Sequence, residues 1–349
     1  MFFCHCVRRI SPPIREGTQL LVVEGLITTD SISYGVKLSY TGNFLNASTR
    51  IDSNQNFIND ARVVIKDDQG DSVLCGLISP GTYQTNDSSF VGIAGRSYTL
   101  EIYLSNGKTY ISTPEKINPV APMDSITVAY DSTVITDIRP MQFIVSANTR
   151  DPAGIPNYYR WTASGYIPRK SWGFYPVFGF PPCNDAFSCT YLAECEQLLA
   201  DNQINILSDQ YSDGREIIQP VFYSPIYWFG KHFIEVKQYS INKDLYMFWQ
   251  QYLQQTNRTG SILDPLPASL IGNIHNAADS SDFALGYFEA SAVFSKKIII
   301  VPFFLQEYYL ESIEGEYTPK GDCNLVFPNS LADDASPQGW DNAEEIDIH

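Results

Sequence analysis

Alternation of apolar and polar residues with a period of two constrains the fold of this chain more than any other feature. In "SYTLEIYLSNGKTYIST", residues 97–113, one face collects four apolar side chains: Tyr98, Leu100, Ile102 and Leu104. Successive side chains of a strand point to opposite faces, and Asn-Gly favours the tight turn of a two-residue hairpin. The segment therefore predicts a β-hairpin that turns at Asn106-Gly107.

Similar strand patterns precede this hairpin in "LLVVEGLIT", "YGVKLSY" and "ARVVIKDDQGDSVL". Roughly seven short strands within about 100 residues are typical of an immunoglobulin-like sandwich. The proline-rich stretch "PEKINPVAPMDS" then marks a boundary between domains. We predict an immunoglobulin-like β-sandwich over residues 18–117 and a second domain over residues 118–349.

The second domain is predicted to be larger and β-rich, with one or two helices, so that the whole chain is mainly β. The best helix lies near 242–257, with Asn242 as its N-cap. Five of its residues follow helical spacing, which favours a core face over a partner groove: Leu245, Phe248, Trp249, Tyr252 and Leu253. A second, shorter helix is expected in "CTYLAECEQLLADN", residues 189–202.

The acidic composition excludes one large class of function. The chain has 39 Asp and Glu against 23 Lys and Arg, a formal net charge of -16. Nucleic-acid binding needs a basic surface, so we expect no nucleic-acid partner. The longest apolar run, "IIIVPFFL", is shorter than the ~20 residues that a membrane-spanning helix requires.

No motif predicts catalysis, a metal or a cofactor. The four histidines form no zinc-binding pattern, and phosphate-binding glycine loops are absent. "GDSV", residues 70–73, lies at a predicted hairpin tip, which is the wrong context for a nucleophilic serine. "DQYSDG", residues 209–214, offers oxygen ligands for calcium, but we favour a solvated turn. We therefore expect a protein that is not an enzyme.

Aromatic residues are concentrated in "KSWGFYPVFGFPPC", residues 170–183. Such a run can form a stacking platform for a sugar or peptide, an interface with a protein partner, or an ordered loop packed against the core. The candidate contact residues are Trp172, Phe174, Tyr175, Phe178 and Phe180.

The seven cysteines fall into three groups. Cys75 stands alone on a predicted strand and is expected to be buried. If the chain is exported, Cys323 is expected to form a disulfide with Cys183, Cys189 or Cys195. Near the start, Cys4 and Cys6 flank a histidine in "MFFCHCVRR", which leaves a metal site, a disulfide or a lipid attachment open.

Several longer motifs occur in one order along the chain: "LVVEGLIT", "DPAGIPNYYRW", "GSILDP", "GNIHN" and "GYFEAS", with a late Cys323 and Trp340. In these motifs the chain resembles a Bacteroidota outer-membrane lipoprotein family of unknown function, domain of unknown function number forty-two forty-nine. The resemblance extends over nearly the whole chain.

The resemblance implies that Cys6 carries a covalent lipid and that residues 1–17 form a tether to the outer membrane, with display at the cell surface. It implies no catalytic residues and no cofactor besides this lipid. The implied partner is an outer-membrane β-barrel protein, foremost a TonB-dependent transporter. A stand-alone glycan- or peptide-binding lipoprotein, or an accessory subunit of a barrel-assembly or secretion machine, is the alternative.

Overall fold

A computed structural model of the chain describes residues 19–41, 56–131, 141–174, 190–200, 203–227, 230–256, 270–303, 323–327, 330–332, 337 and 339–348. Strands form 59% of these residues, so the prediction of a mainly β fold is confirmed. The chain divides into two compact units, residues 1–117 with 254–291 and residues 118–253 with 292–349. The segment 254–291, predicted in the second domain, thus belongs to the first unit.

The first unit is a closed, barrel-like sheet. Its strands are β1 (Leu21–Thr28), β2 (Gly35–Tyr40), β3 (Arg62–Asp67), β4 (Ser72–Ser79), β5 (Thr82–Thr85), β6 (Ser97–Tyr103), β7 (Thr109–Ser112), β8 (Glu115–Lys116), β16 (Ile271–Asn276) and the first part of β17 (Phe283–Pro302). The strand order is β1-β2-β5-β4-β3-β6-β7-β16-β17, and parallel pairing of β17 with β1 closes the ring.

Alternating apolar residues fill the interior of this ring. Tyr98, Leu100 and Ile102 on β6 are all buried, and so are Val36 and Leu38 on β2. The predicted hairpin turn is present, since Gly107 has a φ of 85° and its N–H donates to the Leu104 carbonyl. The immunoglobulin-like sandwich is not confirmed, because strands from residues 271–291 complete a single closed sheet instead of two facing sheets.

Ring closure depends on glycines where β17 meets its neighbours. Gly286 has a φ of 90°, and a Cβ added there would collide with the backbone carbonyl of Val23 on β1. A Cβ on Gly272 of β16 would collide in turn with the carbonyl oxygen of Gly286. Only glycine allows both this backbone conformation and this approach. The glycines of the "GNIHN" and "GYFEAS" motifs therefore allow the backbones to approach closely enough for the sheet to close.

The second unit is a two-layer β structure. Its elements are β9 (Met123–Asp131), β10 (Gln142–Arg150), β11 (Tyr158–Phe174), β12 (Thr190–Ala200), β13 (Asn205–Ser208), a 3₁₀ turn (Asp209–Tyr211), β14 (Glu216–Pro225), β15 (His232–Ile241), most of α1 (Lys243–Thr256), the rest of β17, α2 (Cys323–Val326), β18 (Leu331–Ala332) and β19 (Glu344–Ile348). The order β14-β10-β9 forms one sheet, and β11, β15 and β17 are neighbours in the other.

The core of the second unit lies between these layers. Phe143 and Val145 of β10 contribute from the small sheet, and Trp161, Ile234 and Ile298 contribute from the large one. All five side chains are nearly or wholly buried. This apolar layer fixes the positions of the loops at the ends of the strands, where the candidate site lies.

One predicted helix is correct and one is wrong. Helix α1 occupies Lys243–Thr256, and the Asn242 side chain accepts a hydrogen bond from the Leu245 N–H at 2.8 Å, as expected of an N-cap. Residues 190–200, predicted within the shorter helix, form β12 instead. Antiparallel pairing with the long strand β11 supplies backbone partners to β12 and overrides its local helical preference. Within the described residues, no helix is both long and apolar enough to cross a bilayer.

Candidate functional site: a proline-lined cavity in the second unit

A cavity of about 760 Å³ opens at one end of the second unit, within the range of small-molecule sites. Four prolines stiffen its walls: Pro119, Pro122, Pro152 and Pro156. Tyr158, at the start of β11, adds an aromatic surface and packs against Tyr246 of α1 at 5.1 Å between ring centroids. The cavity therefore combines rigid apolar walls with one aromatic ring.

Two cations lie on the lining of this cavity. Arg150 ends β10 and Lys243 begins α1, and both are exposed. No ion pair of either residue occurs among the described residues. Asp124 and Asp151 also contribute to the lining. The mixture of charges suits a polar or zwitterionic ligand better than a purely apolar one.

A buried glutamine holds one wall in place. Gln238 of β15 is fully buried, and its Oε1 accepts hydrogen bonds from Thr149 Oγ1 at 2.6 Å and from Trp161 Nε1 at 2.8 Å. Its Nε2 donates to the Ala121 carbonyl at 2.7 Å. Since Ala121 lies in the segment that lines the cavity, Gln238 ties that wall to the core.

An acidic cluster lies beside the cavity. Carboxylate oxygens of Asp151, Asp209 and Asp213 all lie within 4.8 Å of one another. Asp151 accepts from Tyr159 Oη at 2.6 Å, and Asp209 accepts from the Asn157 N–H at 2.7 Å. Burial, followed by the bond to Asp151, raises the pKa of Tyr159. These contacts give the cluster a role in bracing the loops around residues 151–157 and 209–214.

The interpretation of residues 209–214 as a solvated turn is only partly right. Asp209 is buried, whereas Asp213 is exposed and accepts a hydrogen bond from the Gly154 N–H at 2.7 Å. Carboxylates in this arrangement are oxygen ligands of the type that calcium uses. The sequence pattern showed the two aspartates of the second loop but not their neighbour Asp151, because that contact joins distant segments.

The predicted aromatic contact residues lie mostly outside the described part. The backbone of Trp172 pairs with Leu192 and that of Phe174 with Thr190, both at the far end of β11. Tyr175, Phe178 and Phe180 lie outside the described residues. The contact surface predicted for these five residues therefore stays a prediction.

Among the cysteines, Cys195 of β12 and Cys323 of α2 form a disulfide, with 5.7 Å between their Cα atoms and a sequence separation of 128. This pairing is one of the three that were expected. Cys6, Cys183 and Cys189 lie outside the described residues. Cys75 is buried, and burial raises the pKa of its thiol to about 12.

A stacked arginine lies next to this disulfide, and no sequence pattern predicts it. The Arg169 guanidinium lies 3.7 Å from the ring centroid of Tyr227 and 4.5 Å from that of Phe327. Burial lowers the pKa of Arg169. Phe327 follows α2 and packs with Cys195 and Cys323, so the disulfide holds one side of the stack in place.

A serine–histidine pair also lies in the second unit. Ser224 Oγ is 2.7 Å from His232 Nδ1, a distance typical of a nucleophile and its base. Both residues are fully buried, and the His232 ring packs edge-on against Phe143 of the core. Burial lowers the pKa of His232 to about 3. This pair belongs to the core and is closed to substrates.

Comparison with known proteins identifies the family to which the chain belongs. No curated protein matches the chain. A protein-family model described as Domain of unknown function (DUF4249) matches residues 7–297, which include most of both units. The match also includes the glycines that allow the first sheet to close, Gly272 and Gly286. The chain therefore belongs to the family described as Domain of unknown function (DUF4249).

Proposed function

We propose that this chain is a non-enzymatic outer-membrane lipoprotein, anchored by a lipid on Cys6. It acts as an accessory subunit of a β-barrel protein assembly, foremost a TonB-dependent transporter. The family resemblance supplies the anchor and the partner. The observation that carries the compartment is the disulfide between Cys195 and Cys323.

Disulfides persist in oxidising compartments and are rare in the cytosol of most organisms. The bond joins β12 to a segment 128 residues further along the chain. Both cysteines are buried, which protects the bond from small reductants. These features fit a protein that matures after export, as a lipoprotein of the outer membrane must.

Membrane fractionation tests the anchor. Cys6→Ser should move the protein from the membrane to the soluble fraction, because two or three acyl chains hold a protein firmly and their loss releases it. Cys4→Ser is the matched control and should leave the protein in the membrane fraction. A Cys6→Ser variant that still sediments with the membranes contradicts the proposal.

Pull-down from detergent-solubilised outer membranes tests the partner. The proposal predicts recovery of one β-barrel protein at fixed stoichiometry. Recovery of barrel-assembly or secretion components would show that the chain is a subunit of one of those machines instead. Recovery of the chain alone would contradict an accessory role.

The cavity favours a second candidate function, a stand-alone glycan- or peptide-binding lipoprotein. Its volume and its mixed lining of prolines, Tyr158, Arg150 and Lys243 are those of a binding site. A thermal-shift screen of short peptides and oligosaccharides tests this function. A ligand that binds in the cavity should lose its effect in the Arg150→Ala, Lys243→Ala double variant.

A further inference from the structure

Three large apolar side chains are exposed at one tip of the first unit. Ile78 is 61% exposed, Leu77 46% and Phe57 41%. We call these three residues the apolar tip. Leu77 and Ile78 end strand β4 just before the turn at Pro80-Gly81, and Phe57 lies beside this turn, with its ring close to Gly81. Exposed apolar side chains gathered at one point commonly mark a contact surface.

The apolar tip is held rigidly. The Gly81 carbonyl accepts from the Leu38 N–H at 2.7 Å, and the Gly81 N–H donates to Asn59 Oδ1 at 2.7 Å. Tyr83 Oη donates to the Ile58 carbonyl at 3.0 Å and accepts from the Ala61 N–H at 3.0 Å. These bonds fix the turn and the segment around Phe57 together. The backbone that carries the apolar side chains is therefore ordered before contact, which lowers the ordering cost of binding.

The chain enters the first unit at the same end as the apolar tip. Leu21 at the start of β1 pairs with Tyr40 at the end of β2, and the Thr41 N–H donates to the Leu20 carbonyl at 2.9 Å. One residue before Tyr40, Ser39 bridges to Phe57 of the tip. The start of β1 and the apolar tip thus lie at the same end of the closed sheet.

We propose that the apolar tip contacts the lipid bilayer in which the protein is anchored. This inference rests on the proposed lipid anchor at Cys6. The 13 chain steps from Cys6 to Gln19 reach at most about 45 Å, so a lipid on Cys6 confines this end of the unit to within that distance of the lipid surface. Apolar side chains held there enter the boundary between headgroups and acyl chains, where their burial is favourable. The tip then sets the orientation of the first unit on the membrane.

Photo-crosslinking tests the contact. The probe is the full chain with Cys6→Ser and an N-terminal hexahistidine tag, bound to phosphatidylcholine vesicles through a nickel-chelating lipid. Ile78→p-benzoylphenylalanine places the crosslinker at the tip. The matched control is Leu74→p-benzoylphenylalanine, because Leu74 is also 46% exposed on β4 but pairs with Val64, about 10 Å from Leu77 along the strand.

The expected result is a phospholipid adduct at position 78 in about tenfold excess over position 74, given how steeply apolar groups partition into the interface. Adding Phe57→Ser and Leu77→Ser to the Ile78 probe should reduce the adduct severalfold. Equal adducts at positions 78 and 74 would overturn the proposal, and so would capture of a protein in place of lipid at position 78 in cells. Because the tag supplies the tether, this result does not depend on acylation of Cys6, which membrane fractionation tests separately.

Discussion

The two units of this protein are stabilised in different ways. The first unit closes one sheet around apolar side chains and a buried Glu115, which accepts hydrogen bonds from Asn273 and Tyr287. Its closure depends on glycines where backbones approach. The second unit buries polar groups in its core, among them Gln238 and the Ser224–His232 pair, and adds the Cys195–Cys323 disulfide. Both units therefore bury hydrogen-bonded polar groups. They differ in that the first depends on glycines at the closure of its sheet, whereas the second is held by a covalent bond.

The largest effect is expected at the point where the first sheet closes. Gly286→Ala should lower the free energy of unfolding by about 4 kcal/mol, because the new Cβ would collide with the Val23 carbonyl at a positive φ. Chemical denaturation measures the change. Gly107→Ala is the control, since Gly107 has a similar φ of 85° with no atom near its Cβ position, and should cost about 1 kcal/mol. An equal loss of unfolding free energy in the two variants would show that the backbones of β1 and β17 do not approach closely at Gly286.

Loss of the disulfide should rank second and act on the second unit. Cys323→Ser opens a loop of 128 residues and should cost about 3 kcal/mol. The melting temperature of the oxidised protein measures the effect. Cys75→Ser, at a buried cysteine outside the disulfide, is the control for loss of a thiol. If dithiothreitol lowers the melting temperature of the Cys323→Ser variant as much as that of the parent protein, the stabilising bond lies elsewhere.

Acid should weaken the second unit through His232. Its pKa lies near 3 when folded and at the ordinary 6.5 when unfolded, so the unfolded chain binds the proton first as the pH falls. The contribution of His232 is complete above pH 6.5 and decreases by roughly 1.4 kcal/mol per pH unit below it, until the folded pKa is reached. His232→Gln cannot titrate and should flatten the dependence of stability on pH between 6.5 and 4. An unchanged slope would assign acid sensitivity to other groups.

Removing the buried glutamine should have a smaller effect. Gln238→Ala leaves the partners on Thr149, Trp161 and Ala121 unsatisfied and should cost about 2 kcal/mol. Gln238→Glu is the informative second variant, because its carboxylate can still accept from Thr149 and Trp161 but cannot donate to the Ala121 carbonyl, and it adds a buried charge. Hydrogen exchange of residues 118–122 should rise in both variants if Gln238 anchors the cavity wall. Unchanged exchange there would show that the wall is held by other contacts.

Local patterns predicted the parts of this fold that depend on neighbouring residues. The alternation in β6, the turn at Gly107 and the N-cap at Asn242 each follow from a short stretch of sequence. Closure of the first sheet could not be predicted in this way, because β16 and β17 lie more than 150 residues beyond the hairpin that they join. The helix predicted around residues 190–200 was wrong for a related reason, since the pairing partner β11 is decided by tertiary structure.

The candidate site was harder to predict than the fold. Cys323 was expected to pair, and its partner Cys195 was one of three options. The cavity lining joins residues 118–124, 150–158 and 240–243, which no local pattern connects. In the sequence, Arg169 and Gln238 are ordinary polar residues of strands. Their stacking and their buried hydrogen bonds become visible only when their neighbours are known. Such contacts are set by packing between distant segments and carry no sequence periodicity.

The lipid anchor on Cys6 can be tested by measuring the mass of the N-terminal peptide of the native protein extracted from cell membranes. We expect a peptide that begins at Cys6 and carries a diacylglyceryl group on sulfur, with the mass of its acyl chains. The Cys4→Ser variant should give the same lipid-modified peptide. An unmodified Cys6 in the membrane-extracted protein would show that the protein is not anchored by a lipid at this residue.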